Sequence, residues 1–253
     1  MSLAAEPRSE YCGAMADPTP PGAPTVRTLR IGGRTVRFAV SEHREDERLG
    51  AVAANEGQML RRLLDAAREG DTFFDVGANI GTITLPVAMK GVECLAFEPA
   101  PANAARLAEN AELNRLGNVT VIEAAMWSER GTVALRVEGM EGAGTSRVVE
   151  AGGDGTVEVP AATLDQFAGG GAAAPDLLKI DVEGGELEAL RGAEATLRAG
   201  HVREVFVETH PLALEERGAS EADVAALLGE LGYAEVWATG RATETHRHFR
   251  RRD

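Results

Sequence analysis

The sequence contains few cysteines, few lysines and few aromatic residues, and it has no long apolar run. Cys12 and Cys94 are its two cysteines, so a disulfide framework is excluded. Aromatic residues make up 4% of the chain, so Val, Leu, Ala and Ile must fill most of a core. No segment approaches the ~18 consecutive apolar residues of a membrane-spanning helix, and the charged N-terminus is not typical of a secretory signal. These absences predict a cytoplasmic protein that has no membrane partner.

The charge of the chain is strongly negative. Its formal net charge is −14 and its pI is about 4.9. A surface of this sign repels nucleic acids and anionic membranes, so neither is an expected general partner. Lys90 and Lys179 are the two lysines, whereas arginine is abundant. Either a compositional bias toward Ala, Gly and Arg or a high-salt habitat explains this, and the sequence leaves both open.

The chain divides into a leader and one domain. Residues 1–24 end in DPTPPGAPT, which predicts a disordered leader because prolines prevent regular pairing. Residues 25–253 form the single predicted domain. Within it, residues 25–70 contain a hairpin around Gly32 and Gly33 and then a helix with apolar residues at helical spacing.

From residue 71 onward, buried strands alternate with helices. This rhythm predicts βαβ units and an α/β fold with a Rossmann-like, doubly wound and mainly parallel sheet. Residues 131–168 interrupt the rhythm and predict a small antiparallel insertion. The segment THRHFRRRD at the end of the chain predicts one more short strand. The predicted core strands are TFFDVG, VECLAFEP, NVTVIEAAM, DLLKIDVEG, VREVFVETHP and YAEVWAT.

Acidic residues recur at the carboxyl ends of the predicted strands. In an open parallel sheet these ends meet at one edge, where ligands bind. Any single acid there is often a solvated or helix-capping residue, but an ordered set of them predicts a ligand site. The set, taken strand by strand, is Asp75, Glu98, Glu123, Asp181 with Glu183, and Glu208 with His210.

The turn DVGANIG indicates the kind of ligand. Glycines after the first core strand let a ligand approach the backbone, but Asp75 would repel the pyrophosphate of a dinucleotide. A ligand with ammonium and sulfonium charges suits the acid, and S-adenosylmethionine has both. Glu98 can accept both ribose hydroxyls, as an acid at this position does in nucleotide-binding folds. The predicted cofactor residues are Glu56, Asp75, Gly77, Asn79, Gly81, Glu98, Pro99, Glu123, Ala124 and Asp181.

Several of these segments together resemble the FkbM-type family of S-adenosylmethionine-dependent methyltransferases. The resemblance runs from about residue 56 to residue 211 and rests on DVGANIGTIT, AFEPAPAN, AAMWSERGTV, TLDQF, LLKIDVEGGELEALRGA and VETHP. It implies methyl transfer to a hydroxyl oxygen of a sugar, a polyketide or another small metabolite. It also implies that Asp75, Gly77, Asn79, Gly81, Glu98, Glu123 and Asp181 bind the cofactor. Trp127 departs from the smaller residues usual at its position.

The expected reaction is an in-line displacement, in which alignment of acceptor, methyl carbon and sulfur supplies much of the rate. A base helps because an aliphatic hydroxyl has a very high pKa. His210 is the first candidate for that base, and Glu208 and Asp181 are the others. The same three side chains could instead hold a divalent cation; their spacing is no ligand signature, so no metal is predicted. In the glycine-rich excursion, Thr145, Ser146 and Arg147 are candidates for a lid.

Two other classes of protein remain open from the sequence. A nicotinamide-dependent oxidoreductase would share the alternating sheet and Glu98, but Asp75 and the absence of a G-x-G-x-x-G turn argue against it. The two tyrosines, Tyr11 and Tyr233, also form no Tyr-x-x-x-Lys pair. A noncatalytic protein that binds S-adenosylmethionine fits the same motifs as the enzyme.

Overall fold

A computed structural model describes residues 25–40, 49, 57–138, 145–149, 152, 155–169, 174–240 and 243–252. The predicted leader, residues 1–24, and the predicted cofactor residue Glu56 lie outside these ranges. Within the described ranges, no helix is both long and apolar enough to cross a membrane.

The secondary structure alternates largely as the sequence indicates. In chain order the strands are β1 (Thr25–Ile31), β2 (Arg34–Val40), β3 (Thr72–Val76), β4 (Glu93–Phe97), β5 (Val119–Ile122), β6 (Ala125–Met126), β7 (Gly131–Glu138), β8 (Thr145–Val149), β9 (Thr156–Ala162), β10 (Leu177–Ile180), β11 (Glu204–Thr209), β12 (Tyr233–Gly240) and β13 (Thr245–Arg251). The helices are α1 (Gly57–Ala66), α2 (Thr84–Ala88), α3 (Pro101–Leu113), α4 (Leu164–Gly169), α5 (Glu186–Arg191), α6 (Glu194–Ala199), α7 (Pro211–Glu216) and α8 (Glu221–Glu230).

The predicted N-terminal hairpin is confirmed. Strands β1 and β2 pair antiparallel from one end to the other. Gly32 and Gly33 join them with φ angles of 55° and 77°, the left-handed pair that a two-residue hairpin turn requires. The hairpin is held to α3 because the Asn110 side chain accepts a hydrogen bond from the Ala39 N–H at 2.8 Å.

Seven strands form the central sheet in the order β12-β13-β11-β10-β3-β4-β5. The pairs from β11 to β5 are parallel, and β13 runs antiparallel to both of its neighbours. The prediction of a Rossmann-like, mainly parallel sheet is therefore confirmed. The chain proceeds from β3 to β4 on one side and from β10 to β11 on the other, so the order reverses between β3 and β10. A ligand crevice is expected beyond their carboxyl ends.

The predicted antiparallel insertion is part of a second sheet of four strands in the order β6-β9-β7-β8; β7 pairs antiparallel with β8 and β9, whereas β6 pairs parallel with β9. It differs from the prediction in two places. The predicted strand NVTVIEAAM divides after Ile122, so that β5 joins the central sheet and β6 the small one. Strand β8 pairs with β7, whereas its residues were expected to lie in a glycine-rich loop.

The segment GELEALRGAEATLRAG, residues 185–200, has a sequence that predicts one helix, but in the structure it forms two. Helix α5 ends before Gly192 and α6 begins after it. A side chain at Gly192 would place its Cβ 2.0 Å from the carbonyl oxygen of Trp127, so this glycine lets the helical segment touch the strand connection. Helix α8 begins as the sequence suggests, because Ser220 and Asp223 form a reciprocal capping box.

The core is built largely from aliphatic residues, but its few aromatics lie at the centre. Six of the seven phenylalanines are at most 1% exposed. Phe74 and Phe97 pack edge to face, with ring centroids 5.4 Å apart. They lie on β3 and β4 and fix the strand ends at which the polar residues begin.

Candidate active site

A cavity of about 390 Å³ opens at the carboxyl ends of β3, β4, β10 and β11. It lies at the reversal of strand order, and the small sheet contributes part of its wall. The main polar and backbone contributors are Gly77, Asn79, Glu98, Pro99, Ser146, Lys179, Asp181, Glu183, Glu208, His210 and Glu244.

The turn after β3 passes under the cavity, and at Gly77 it has no room for a side chain. Gly77 has φ of 79°, and a Cβ at this position would lie 1.7 Å from the carbonyl oxygen of Asp181. Asn79 also adopts a left-handed conformation, with φ of 50°, and its backbone N–H donates to the Glu98 carboxylate at 2.9 Å. Gly81 has a different role: a Cβ there would meet Leu107 of α3 at 2.4 Å. It permits helix packing and does not line the cavity.

Asp75 is buried behind the cavity wall. It is 0% exposed and accepts a hydrogen bond from the Thr84 hydroxyl at 2.6 Å. The Lys179 ammonium lies 3.2 Å from Asp75, 3.4 Å from Asp181 and 3.1 Å from the carbonyl oxygen of Gly77. Lys179 and Asp181 line the cavity, whereas Asp75 does not. Lys179 therefore lies between Asp75 and the cavity, and the role of Asp75 in cofactor binding stays a prediction.

Glu98 is a buried carboxylate that follows β4. His210 follows β11, and β3 and β10 lie between these two strands in the sheet. Glu98 is 2% exposed and accepts hydrogen bonds from the backbone N–H groups of Asn79 at 2.9 Å and Ala100 at 3.0 Å. The Ser146 hydroxyl of β8 lies 3.5 Å from it. Burial raises the pKa of Glu98, while these hydrogen bonds oppose the rise. The side chain is held rigidly and still faces the cavity.

Carboxylates surround His210 at the end of β11. Its Nδ1 lies 2.9 Å from the carboxylate of Glu186, which is fully buried. Its Nε2 lies 3.3 Å from Glu183, 3.8 Å from Glu208 and 4.0 Å from Asp181. Burial lowers the pKa of His210, but the hydrogen bond to Glu186 and the charges of Asp181 and Glu183 prevail and raise it to about 10. The imidazolium form therefore predominates at neutral pH.

Glu183 is the most strained member of this cluster. Its backbone φ is 54°, a left-handed conformation that costs a non-glycine residue roughly 1–2 kcal/mol and that is common at functional sites. Burial raises the pKa of Glu183 to about 7, although the charge of His210 opposes the rise. A carboxylate with that pKa can accept or release a proton at neutral pH.

Glu208 connects two histidines. One of its oxygens faces His210, and the other lies 2.8 Å from Nε2 of His246, which is 1% exposed. Burial and the charge of Asp181 raise the pKa of Glu208, while His246 opposes the rise. Among the residues that the structure describes, two overlapping groups have ligand atoms close enough to hold a metal ion: Asp181, Glu208 and His210, and Glu208, Glu244 and His246.

Comparison with known proteins shows the family. The family described as the methyltransferase FkbM domain matches residues 75–234. The hexuronic acid methyltransferase AglP of Haloferax volcanii is 31% identical over 201 residues, which cover 79% of this chain and 78% of that protein. The chain belongs to the FkbM methyltransferase family.

Two further proteins are similar to this FkbM-family methyltransferase. The 31-O-demethyl-FK506 methyltransferase FkbM of Streptomyces tacrolimicus is 33% identical over 175 residues, covering 56% of this chain and 66% of that protein. Among solved structures, magnesium protoporphyrin IX methyltransferase of Synechocystis PCC 6803 with bound S-adenosylmethionine has a TM-score of 0.49 and 14% identity, covering 79% of this chain and 82% of that chain. The family match and the two sequence relatives, and not the structural likeness, make the chain an S-adenosylmethionine-dependent methyltransferase, which removes the oxidoreductase and noncatalytic interpretations.

The structure collects most of the predicted site residues of this FkbM-family protein in one cavity. Gly77, Asn79, Glu98, Pro99, Ala124 and Asp181 line it, as do Glu208 and His210. Glu123 does not, because its side chain is exposed at the end of β5 and its neighbour Ala124 faces the cavity instead. Trp127 also lines the cavity, and the Arg217 guanidinium lies 5.3 Å from its ring.

Two residues important to the site were not predicted. Lys179 is a lone lysine inside an apolar strand, which signals a buried charge partner. Glu186, at the start of α5, carries no sequence signal that it fixes the His210 ring. Ser146 is one of the predicted lid candidates and lines the cavity, but its contact with Glu98 could not be predicted, because it depends on β8 folding back over the cavity.

Proposed function

We propose that this methyltransferase transfers the methyl group of S-adenosylmethionine to a hydroxyl oxygen of a small molecule. The observation that carries the proposal is the cluster of Glu183, Glu208 and His210 at one end of the cavity, with Glu98 at the other. Names of relatives support it: one acts on a hexuronic acid and another on 31-O-demethyl-FK506. The protein is proposed to work in the cytoplasm.

The cofactor would lie along the carboxyl edge of the sheet. Glu98 would accept the ribose hydroxyls, with Pro99 and Ala124 beside the nucleoside. The backbone of the turn at Gly77 and Asn79 would approach the methionine part, and Asp181 would attract its ammonium. In this arrangement Lys179 neutralises the buried Asp75, so that the cavity is not left with an unpaired acid beneath it.

Proton removal is assigned to Glu183 rather than to the predicted base His210. The carboxylates of Glu186, Asp181 and Glu183 keep His210 protonated, so it has no lone pair to offer at neutral pH. The pKa of Glu183, at about 7, suits a base that works near neutrality. The hydroxyl oxygen forms its bond to the methyl carbon as the carbon–sulfur bond breaks. The hydroxyl proton moves to Glu183, and S-adenosylhomocysteine leaves as a neutral sulfide.

The proposal is tested by incubating the protein with S-adenosylmethionine labelled in its methyl group and matched acceptors. The acceptors are simple glycosides, hexuronides and hydroxylated polyketides. Label that enters product and survives mild alkali supports an ether linkage to a hydroxyl oxygen. Label that alkali releases indicates a methyl ester on a carboxylate and contradicts O-methylation of a hydroxyl.

A divalent cation is the alternative way to activate the hydroxyl, because Asp181, Glu208 and His210 have suitable ligand atoms within 4.8 Å of one another. We propose instead that the carboxylates of Asp181 and Glu208 face protonated His210 and bind no metal ion. We therefore expect turnover to be unchanged after treatment with EDTA. Loss of turnover that Mg²⁺ or Mn²⁺ restores would favour the cation. Equal S-adenosylhomocysteine affinity before and after chelation is the control for an intact fold.

A further inference from the structure

A second hollow lies at the opposite end of the central sheet. Its volume is about 640 Å³, and six of the ten residues that line it are arginines: Arg62, Arg68, Arg203, Arg250, Arg251 and Arg252. We call it the arginine cleft. Glu204, at the start of β11, belongs to this cleft, whereas Glu208 of the same strand lines the methyltransferase cavity. Four residues of strand separate the two by about 13 Å, so the cleft is a different site.

The concentration of positive charge contrasts with the rest of the molecule. The whole chain has a formal net charge of −14 and 26 basic residues, so nearly a quarter of them line this cleft. Its acids are Asp65 and Glu204. Burial lowers the pKa of His248, the remaining titratable residue of the cleft, although Glu204 opposes the fall. The cleft is therefore strongly positive in a protein whose overall field repels anions.

Part of this charge has a structural partner. Arg203 lies 2.6 Å from Asp71, and Arg250 lies 3.0 Å from Glu204. Glu204 also contacts His248 at 2.5 Å. Arg251 donates to the carbonyl oxygen of Leu197 at 2.9 Å. These contacts fix the walls of the cleft and explain why β13 carries some of its arginines.

The other three arginines of the cleft are Arg62, Arg68 and Arg252, and among the described residues their side chains do not fix its walls through such contacts. The Arg62 guanidinium lies over the Trp237 ring at 4.6 Å, so its partner is an aromatic face that carries no negative charge. Arg68 and Arg252 are exposed, and among the residues that the structure describes their side chains form no ion pair. Asp65 is the one cleft acid left to balance these charges. Mutual repulsion is the expected result unless an anion binds between them.

We propose that the arginine cleft binds a compact anion that carries two or more phosphate groups. Guanidinium groups match phosphate oxygens with paired, charge-assisted hydrogen bonds. A concave site of this volume suits a ligand of nucleotide size. The net charge of −14 on the whole chain disfavours a long polyanion, which would extend beyond the cleft.

Inorganic tripolyphosphate is the probe, and isothermal titration calorimetry on the full chain is the measurement. We expect saturable binding that weakens as the salt concentration rises, and weaker binding of orthophosphate. In the double variant Arg68→Glu/Arg252→Glu the affinity should fall by about tenfold or more, because each replaced guanidinium loses paired contacts. S-adenosylhomocysteine binding should stay unchanged, since neither residue belongs to the methyltransferase cavity.

The matched control is Arg130→Glu/Arg198→Glu, which changes the net charge by the same amount outside the cleft. If both double variants lose the same affinity, tripolyphosphate responds to overall charge and the proposal is overturned. Absence of saturable binding to the unaltered protein also overturns it. A single-stranded RNA or an anionic vesicle that binds more tightly than tripolyphosphate would replace the compact ligand with a macromolecular partner. Arg68→Gln/Arg252→Gln serves if the charge-reversal variant does not fold.

Discussion

Lys179 connects the interior of this methyltransferase to its cofactor space. Its ammonium lies between Asp75, which is fully buried, and Asp181, which lines the cavity. An acid placed before a glycine turn was the sequence feature that favoured a cationic cofactor over a dinucleotide. The structure gives that acid a second explanation, because its partner is a lysine of the neighbouring strand.

Replacing Lys179 with Met should destabilise the protein by about 3–5 kcal/mol, because breaking a buried ion pair leaves an uncompensated charge. The measurement is the free energy of unfolding in urea. The double variant Asp75→Asn/Lys179→Met should recover part of the loss, since both charges are then absent. A double variant that is no more stable than Lys179→Met would show that the pair does not carry the effect.

Glu183 should determine how the methyl-transfer rate depends on pH. As the proposed base, Glu183 must be deprotonated, so the rate should rise as the pH increases through about 7. It should fall again above about pH 10, where His210 loses its proton and the charge balance of the cluster changes. Replacing Glu183 with Gln should remove the rise near pH 7 and lower the rate by roughly 100-fold or more.

The control for this variant is S-adenosylhomocysteine affinity, which should change little because Glu183 is assigned to the acceptor end. The variant Glu188→Gln alters a neighbouring acid of α5 that does not line the cavity, and it should retain the full profile. Persistence of the rise near pH 7 in Glu183→Gln would mean that another group accepts the proton.

At the scale of single elements, the turn that follows β3 depends on close backbone approach. Gly77→Ala would bring a Cβ to within 1.7 Å of a backbone oxygen of Asp181. We expect S-adenosylhomocysteine affinity to fall by about tenfold or more, because the turn or the β10 end must move away from the cofactor. Calorimetric titration measures the change.

Gly70→Ala is the matched control for that substitution. Gly70 has φ of 84°, close to the 79° of Gly77, but a Cβ there meets nothing within 4 Å. It therefore reproduces the backbone strain without the clash. Equal affinities of the two variants would show that the clash at Gly77 does not affect the cofactor site.

The elements that the sequence predicted well are those whose pattern is local. The hairpin required only Gly32 and Gly33, and the parallel strands required only apolar runs with polar carboxyl ends. The elements that differ depend on distant partners. The break at Gly192 reflects the approach of Trp127, and β8 exists because β7 offers it an edge. The cavity residues of the strand ends could be predicted, whereas the contact of Ser146 with Glu98 could not.

At the scale of the whole molecule, β13 decides whether the sheet is complete. It lies between β11 and β12, although it follows both in sequence. Its side chains Phe249 and His248 are buried against the sheet, and His246 faces Glu208. Strand β11, which carries the proposed acceptor end of the site, would have an open edge without β13.

Removing residues 245–253 should therefore abolish cooperative unfolding, because an unpaired central edge exposes apolar surface. Thermal unfolding followed by circular dichroism, with dye binding to detect exposed apolar surface, checks this. Removing residues 1–24, the predicted disordered leader, should leave the transition temperature unchanged. A cooperative transition in the protein that lacks β13 would mean that β11 and β12 can pair without it.

The two ends of the central sheet have opposite polarity. The methyltransferase cavity is lined by five acids, Glu98, Asp181, Glu183, Glu208 and Glu244, against Lys179 and His210, while arginines dominate the far end. This separation makes the molecule an electric dipole aligned with its strands. S-adenosylmethionine carries a net positive charge, so the field would turn and draw it toward the cavity before any contact forms. The fold thus serves the kinetics of cofactor capture as well as its affinity.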